Sequence, residues 1–129
     1  MSRAIADILW TKACQDYNLA EMAVDVDPKR VGDQAFGYLL QQSVEKALKS
    51  LILRCRMKYE RTHDLRRLMD HLSRKIAVPP EIQHLDELSA FATQERYEAP
   101  MSDEPIDRRA FIRDVEMMLE WVQQRSLQP

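Results

Sequence analysis

The residues best suited to chemistry form a polar stripe on a predicted helix that is otherwise apolar. Gln42, Glu45, Lys46 and Lys49 recur at helical spacing and therefore share one face. Most of the remaining circumference is apolar and consists of Leu39, Leu40, Ala47, Leu48, Leu51 and Ile52. A helix this apolar is normally surrounded by other helices. Its charged edge then needs a partner, a groove or counter-charges, because unpaired buried charge is costly.

The stripe has two interpretations. In the first it is a set of ion pairs, with Glu45 bonded to Lys49 one turn on and Asp16 of the preceding helix bonded to Lys46 or Lys49. In the second it is a cationic groove that binds phosphate. Charge runs are more often scaffold than site, which favours the ion pairs.

A second cluster begins at Arg61 and includes His63, where a third helix is predicted to start at Thr62. The Thr62 hydroxyl suits a helix cap, and Asp64 suits the positive end of the helix dipole. Free backbone amides at a helix start attract anions, and Arg61 would add charge there. The competing interpretation is a plain helix cap with a histidine packed against its neighbour.

Arg96 and Tyr97 form a third candidate, inside a proline-broken segment that runs from residue 95 to 106. Arginine contacts phosphate through two nitrogens at once, and tyrosine stacks on a base. Alternatively, Arg96 caps the carbonyl end of its own helix.

Composition excludes several other chemistries. Two glycines, Gly32 and Gly37, do not make a glycine-rich phosphate loop, and two distant cysteines with three histidines lack zinc-site spacing. We therefore expect no metal and no cofactor, and reduced thiols at Cys14 and Cys55. The net charge of −2, from 19 basic and 21 acidic residues, leaves any RNA contact to a local patch.

The elements that must position these groups are five predicted helices, with no convincing strand, in a single domain over residues 1–129. We place the helices at about 3–24, 32–57, 62–76, 80–94 and 107–125, with Ser2 as the first N-cap. Helix 1 is predicted to turn inward Ile5, Ile8, Leu9, Ala13, Tyr17, Ala20, Ala23 and Val24. Short connections favour an antiparallel, up-and-down bundle. Without a signal core or a spanning apolar run, we expect a cytoplasmic protein and no membrane partner.

Four motifs, in order over nearly the whole chain, resemble those of the HEPN domain, a family named for its occurrence in higher eukaryotes and prokaryotes and for proposed nucleotide binding. They are Ala13-x-x-Asp16-x-x-x-Ala20, Gln42-x-x-Glu45-Lys46-x-x-Lys49, Thr62-His63-Asp64-Leu65 and Arg96-Tyr97. The resemblance implies an antiparallel helical bundle that often pairs as a homodimer. It also implies, from many bacterial relatives, a small nucleotidyltransferase partner in a toxin–antitoxin-like pair.

Other members of that family are metal-independent ribonucleases with an Arg-x4-6-His motif that meets its copy across the dimer. Here no histidine follows Arg96. The same spacing occurs from Arg56 to His63, across a predicted loop, and from Arg66 to His71, where a helix would turn the two side chains about 140° apart. We interpret both as accidental.

Our preferred hypothesis is a module that binds a nucleotide or RNA, as a homodimer or beside a nucleotidyltransferase. Its predicted groove is lined by Lys46, Lys49, Arg61, His63, Arg96 and Tyr97. Asp16, Gln42 and Glu45 are predicted to be its structural polar partners. One alternative is a ribonuclease toxin with His63 as general acid or base. Another is a structural dimerisation bundle without a ligand, with Trp10 or Trp121 at the partner contact.

Overall fold

The computed structural model describes residues 2–58, 61–92 and 105–127, and within these ranges it contains five helices and no strand. The bounds are α1 Ser2–Met22, α2 Asp33–Arg54, α3 Leu65–Leu72, α4 Pro80–Gln83, which continues as a 3₁₀ helix over His84–Ala92, and α5 Arg108–Ser126. The prediction of an all-α bundle is confirmed. In the same ranges, no helix is both long and apolar enough to cross a bilayer.

Helix α2 is enclosed, as its apolar circumference predicts. It packs against α1, α3, the 3₁₀ helix and α5. Its fully or almost fully buried apolar residues are Phe36, Leu40, Val44, Ala47, Leu48, Leu51 and Ile52. Because four elements pack around it, α2 fixes where the polar stripe lies relative to every other part of the bundle.

Small residues bring α1 and α2 close together. Ala6, Ala13 and Ala20 recur every seven residues in α1 and are fully buried. Facing them, Ser43 Oγ donates to the Ala13 carbonyl at 2.8 Å and Ser50 Oγ donates to the Ala6 carbonyl at 2.9 Å. The later serine of α2 contacts the earlier alanine of α1, so the two helices are antiparallel. We call these five residues the alanine–serine seam.

The seam corrects the predicted inward face of α1. Ile5 and Ile8 are 47% and 55% exposed, whereas Ala6 between them is fully buried. Ile8 follows Ala6 by two residues, which is about 200° around a helix, so the two cannot face the core together. Trp10 and Trp121 are half-buried against the core, and their place at a partner contact stays a prediction.

Several helix boundaries differ from the predicted ones. Ser2 is the first residue of α1 and not its cap. Helix α2 ends at Arg54, before Met57, and Arg56 has a positive φ of 60° that an α-helix cannot accommodate. Helix α3 begins three residues after Thr62 and is only 8 residues long.

The fourth helix also departs from the predicted continuous α-helix, because most of it is 3₁₀. It lies close to α2: a Cβ built on Gly37 would come within 2.5 Å of the Phe91 ring. Such a distance is far below van der Waals contact, so only glycine fits at position 37 with this ring in place. The glycine therefore sets how closely the 3₁₀ helix approaches the central helix.

Arg108, at the start of α5, is buried and joins three parts of the chain. Its Nε donates to Asp33 at 2.9 Å and one terminal nitrogen donates to the Ala23 carbonyl at 2.8 Å. The other terminal nitrogen donates to the Val31 carbonyl, and the guanidinium lies 4.9 Å from the centroid of the Phe36 ring. A loop that would otherwise leave carbonyls without donors is thereby held against α2 and α5.

Candidate functional site

At the centre of the polar stripe lies Glu45, whose side chain is only 7% exposed and accepts three hydrogen bonds. Gln41 Nε2 and His63 Nδ1 contact Oε1 at 2.8 and 2.9 Å, and Lys49 Nζ contacts Oε2 at 3.0 Å. Burial raises the pKa of Glu45, but the hydrogen bonds from His63 and the other two donors outweigh burial and hold that pKa below its usual value. The carboxyl group is therefore ionised at neutral pH.

His63 is the exposed end of this arrangement, with a side chain that is 70% accessible. An ionised carboxylate can only accept, so the proton of a neutral His63 ring lies on Nδ1. Nε2 then carries the lone pair, and among the described residues it has no hydrogen-bond partner. The His63 carbonyl is also tied down, by Gln41 Nε2 at 3.4 Å. The ring is thus anchored in the core at one nitrogen and open to solvent at the other.

Gln41 is a site residue that sequence reasoning missed. It is fully buried and donates to both Glu45 and the His63 backbone. Gln42, which was predicted instead, acts one step away: its amide donates to Gln41 Oε1 at 2.7 Å. The available signal was the four-residue spacing from Gln41 to Glu45, which places the two side chains on the same face.

The predicted ion pairs are present. Lys46 Nζ lies 2.6 Å from Asp16 Oδ2, with both side chains about one-fifth exposed, and Lys49 pairs with Glu45. Asp16 and Glu45 thus carry countercharges for the two lysines. The stripe is therefore a charge-balanced lattice. Each of its two lysines is neutralised by a carboxylate, so the lysines do not form a cationic groove.

The start of α3 differs from the predicted anion site. The N-cap is Asp64, whose carboxylate accepts from the amides of Arg66 and Arg67 at 3.0 and 3.4 Å. The Leu65 amide donates to Ser89 Oγ at 2.8 Å. The Thr62 hydroxyl accepts from the amide of Asp64, which is itself the N-cap, so the prediction that Thr62 caps the helix is wrong. With these amides occupied and a carboxylate beside them, the first turn of α3 offers no anion site of its own.

The structure brings some of the predicted groove residues together. Lys49 and His63 share Glu45, Lys46 is bound to Asp16 alongside, and Arg61 is exposed two residues before His63. The third predicted component, Arg96 and Tyr97, lies outside the described residues. Within the described ranges, no three His, Cys, Asp or Glu side chains are grouped closely enough to hold a metal ion.

Neither of the two Arg–His spacings forms one cluster. Arg66 Nε pairs with Asp86 at 2.9 Å, while the ring of His71 contacts the Lys58 carbonyl. Arg56 lines a cavity at the end of α2, whereas His63 is bound to Glu45. Arg66 thus pairs with Asp86 and Arg56 borders a cavity, and neither arginine is bonded to the histidine at that spacing.

The family model named HEPN domain matches residues 7–125 of the chain. The chain belongs to the HEPN domain family. A crystal structure of an archaeal HEPN homologue has a TM-score of 0.70 to this fold at 20% identity, covering 94% of this chain and 97% of that one. At that identity the likeness shows the fold alone. A search of curated proteins found no match.

The Glu45–His63 pair joins two of the HEPN-like sequence motifs. The four sequence motifs that resemble the family include both residues, and the structure joins them across the contact between α2 and the start of α3. The residue pair lies at the surface end of a polar network that begins in the core at Gln41. This HEPN domain therefore presents one histidine whose orientation is determined by buried groups.

Proposed function

We propose that this HEPN-domain protein is a binding module that holds a phosphate group of a nucleotide or of RNA at His63 and Arg61. The observation that carries the proposal is the anchored, exposed ring of His63 over the buried Glu45 carboxylate. When the ring is protonated, Nε2 becomes a donor to a phosphate oxygen and Glu45 balances the new charge. Exposed Arg61 adds a guanidinium that can bind phosphate through two nitrogens.

In this proposal Lys46 and Lys49 support the site, since each already neutralises a carboxylate. The lattice holds the histidine in place, and the phosphate contacts His63 Nε2 and the Arg61 guanidinium. Arg96 and Tyr97 remain predicted members of the same groove.

The test is titration with a mononucleotide by calorimetry and with a short labelled RNA by fluorescence anisotropy. Changing His63→Ala or Arg61→Ala should weaken binding by about tenfold each, as expected for a lost hydrogen bond to a charged group. Matched controls are His84→Ala, an exposed histidine paired with Asp114, and Arg30→Ala, an exposed arginine in the α1–α2 loop. No binding at millimolar ligand, or equal binding by all four variants, would refute the proposal.

We also propose that the module works as a homodimer or with a nucleotidyltransferase. What supports an assembly is an apolar surface on α1, where Ile5, Ile8, Leu19 and Met22 are 47% to 77% exposed. Light scattering after size exclusion should give the mass of a dimer for the protein alone, or of a one-to-one complex with such a partner. Ile8→Lys with Leu19→Lys should return the chain to a monomer without unfolding it. A monomer that no such partner binds contradicts this part.

A second candidate is a ribonuclease, and the hydrogen bond between Glu45 and His63 favours it. A neutral ring with its proton held on Nδ1 has an Nε2 lone pair that could accept the proton of an RNA 2′-hydroxyl. The 2′-oxygen would then attack the adjacent phosphorus, and the 5′-oxygen would leave and take up a proton from water. The products are a 2′,3′-cyclic phosphate and a 5′-hydroxyl end.

The two functions predict different fates for RNA, because binding leaves the RNA intact and general-base catalysis cleaves it. Incubation of structured RNA with the protein in a chelator distinguishes them. Cleavage that is lost in His63→Ala and Glu45→Gln but retained in His84→Ala establishes the ribonuclease. Intact RNA with all variants eliminates it.

A further inference from the structure

A cavity of about 430 Å³ lies where the ends of α2 and α5 meet the chain that follows α3. Its lining includes four cations, Arg54, Arg56, Lys75 and Arg125, and no carboxylate is found among its described lining residues. Leu51 and Ile76 supply an apolar wall. The volume is within the range of small-molecule sites, and one charge sign predominates on its surface.

This cavity is distinct from the site at His63. Arg54 follows Glu45 by nine residues, and at about 100° per residue the two side chains leave α2 on opposite sides. The cations also come from separate elements, so they surround the space and do not form one surface row. Nothing in the proposed binding at His63 uses them.

Among the described residues, a carboxylate pairs with only one of the four cations. Arg54 pairs with Asp7, and Lys75 Nζ donates to the Cys55 carbonyl at 2.7 Å, which caps the end of α2. Arg125 Nε is shielded from solvent and has no acceptor in the described part of the chain. Burying a donor without an acceptor is unfavourable, so the described residues leave this guanidinium incompletely satisfied.

Two of these cations act on the same side chain. Burial raises the pKa of the Cys55 thiol, and the charges of Lys75 and Arg125 oppose that rise. Cys55 itself lines the cavity. A ligand oxygen placed in the cavity near that sulfur atom would therefore face an ammonium and a guanidinium together.

We propose that this cavity is a second ligand site, which binds the phosphate of a small phosphorylated molecule. A phosphate dianion has enough oxygens to accept from Arg125, Lys75 and Arg56 at once, and Arg125 can use its two terminal nitrogens in a two-point contact. The apolar wall formed by Leu51 and Ile76 contacts the carbon-containing part of the molecule. The inference goes beyond the proposed function and does not depend on it.

The experiment is calorimetric titration with two probes, inorganic phosphate and adenosine monophosphate, against chloride at equal ionic strength. Both probes should bind, and the monophosphate more tightly, because only it reaches the apolar wall. Arg125→Gln and Arg56→Gln should each weaken binding by about tenfold or more. Arg56 is exposed, so its variant should retain the fold even if Arg125→Gln loses stability. Arg113→Gln, an exposed arginine elsewhere on α5, is the matched control and should bind as the parent does.

A second measurement reports on the location of the ligand. Alkylation of Cys55 by neutral iodoacetamide, followed by mass spectrometry, should slow several-fold when phosphate occupies the cavity, while alkylation of Cys14 on α1 should not change. His63→Ala should leave both results intact, so failure at this cavity is distinguishable from failure at His63. Absence of binding at millimolar concentration, or binding unaltered by both arginine changes, overturns the proposal.

Discussion

Nδ1 of His63 lies 2.9 Å from Oε1 of Glu45, so an imidazole that is mostly in solvent is fixed by a carboxylate that is almost wholly inside the bundle. The same carboxylate accepts from Gln41 and Lys49, which leaves it little freedom to move. Any change that reorganises these buried donors should therefore disturb the exposed ring as well. The stability of the bundle and the position of the exposed ring are therefore linked at this one residue.

Glu45→Gln should remove a pH-dependent part of the stability. The folded-state pKa of Glu45 is lower than its usual value, so its stabilising contribution is present above the unfolded value of about 4.3 and is lost as the pH falls through the folded value. Urea unfolding near pH 7, 5 and 3.5 should show the parent more stable than Glu45→Gln at neutral pH, with the difference shrinking on acidification. Glu120→Gln, at an exposed position of α5, is the control. A pH-independent difference would contradict the assignment.

Arg108→Met should destabilise the fold by about 3–5 kcal/mol, because Asp33 and three loop carbonyls would lose their buried donor. Arg109→Met is the matched control: its neighbouring ion pair with Asp25 is exposed and worth about 0–1 kcal/mol. Chemical denaturation of both variants gives the comparison. Similar losses of stability for the two variants would mean that the buried guanidinium does not hold the loop in place.

Gly37→Ala should destabilise the protein although alanine is the better helix former. The gain of about 1 kcal/mol in helix propensity is opposed by a collision with the Phe91 ring, and overpacking of this kind costs about 1–3 kcal/mol or more. Gly32→Ala, where the nearest atom is 3.8 Å away, should cost only a few tenths. In a Phe91→Ala background the alanine at position 37 should become neutral or stabilising. Without that reversal, the close approach is not the cause.

Ala13→Leu should separate α1 from α2 and lower the melting temperature strongly, because the site is fully buried and the facing Ser43 hydroxyl is bonded to the Ala13 carbonyl. Ala4→Leu, on the exposed side of α1, adds the same atoms and should have little effect. Thermal unfolding by circular dichroism measures both. Equal changes in melting temperature would indicate that α1 and α2 are not closely packed at the alanine–serine seam.

The all-α fold could be predicted because local signals agree with it. The Pro79–Pro80 pair and the acidic turn before Pro28 separate helices, α2 is apolar around most of its circumference, and the Glu45–Lys49 pair follows from helical spacing alone. The Asp16–Lys46 pair required only one assumption, that α1 and α2 are neighbours. These predictions rest on periodicity, which the sequence carries directly.

Other features depend on how distant elements meet, and periodicity does not contain that information. The bond from Gln41 to the His63 carbonyl could not be predicted, because it forms only where the start of α3 lies against α2. The exposure of Ile5 and Ile8 follows from alanine being preferred at the contact, where close approach outweighs side-chain size. Arg108 gave no signal, since its partners lie more than 70 residues earlier in the chain.

Arg108 has a consequence for how the molecule assembles. Its bonds connect the start of the last helix with a loop 77 to 85 residues earlier. The carbonyls of the loop between α1 and α2 therefore receive these hydrogen bonds only from a residue near the end of the chain. The early helices cannot reach their final arrangement while this donor is absent. We therefore expect folding to be cooperative across the whole domain, with a chain shortened before residue 108 aggregating or staying partly unfolded instead of forming a smaller stable bundle.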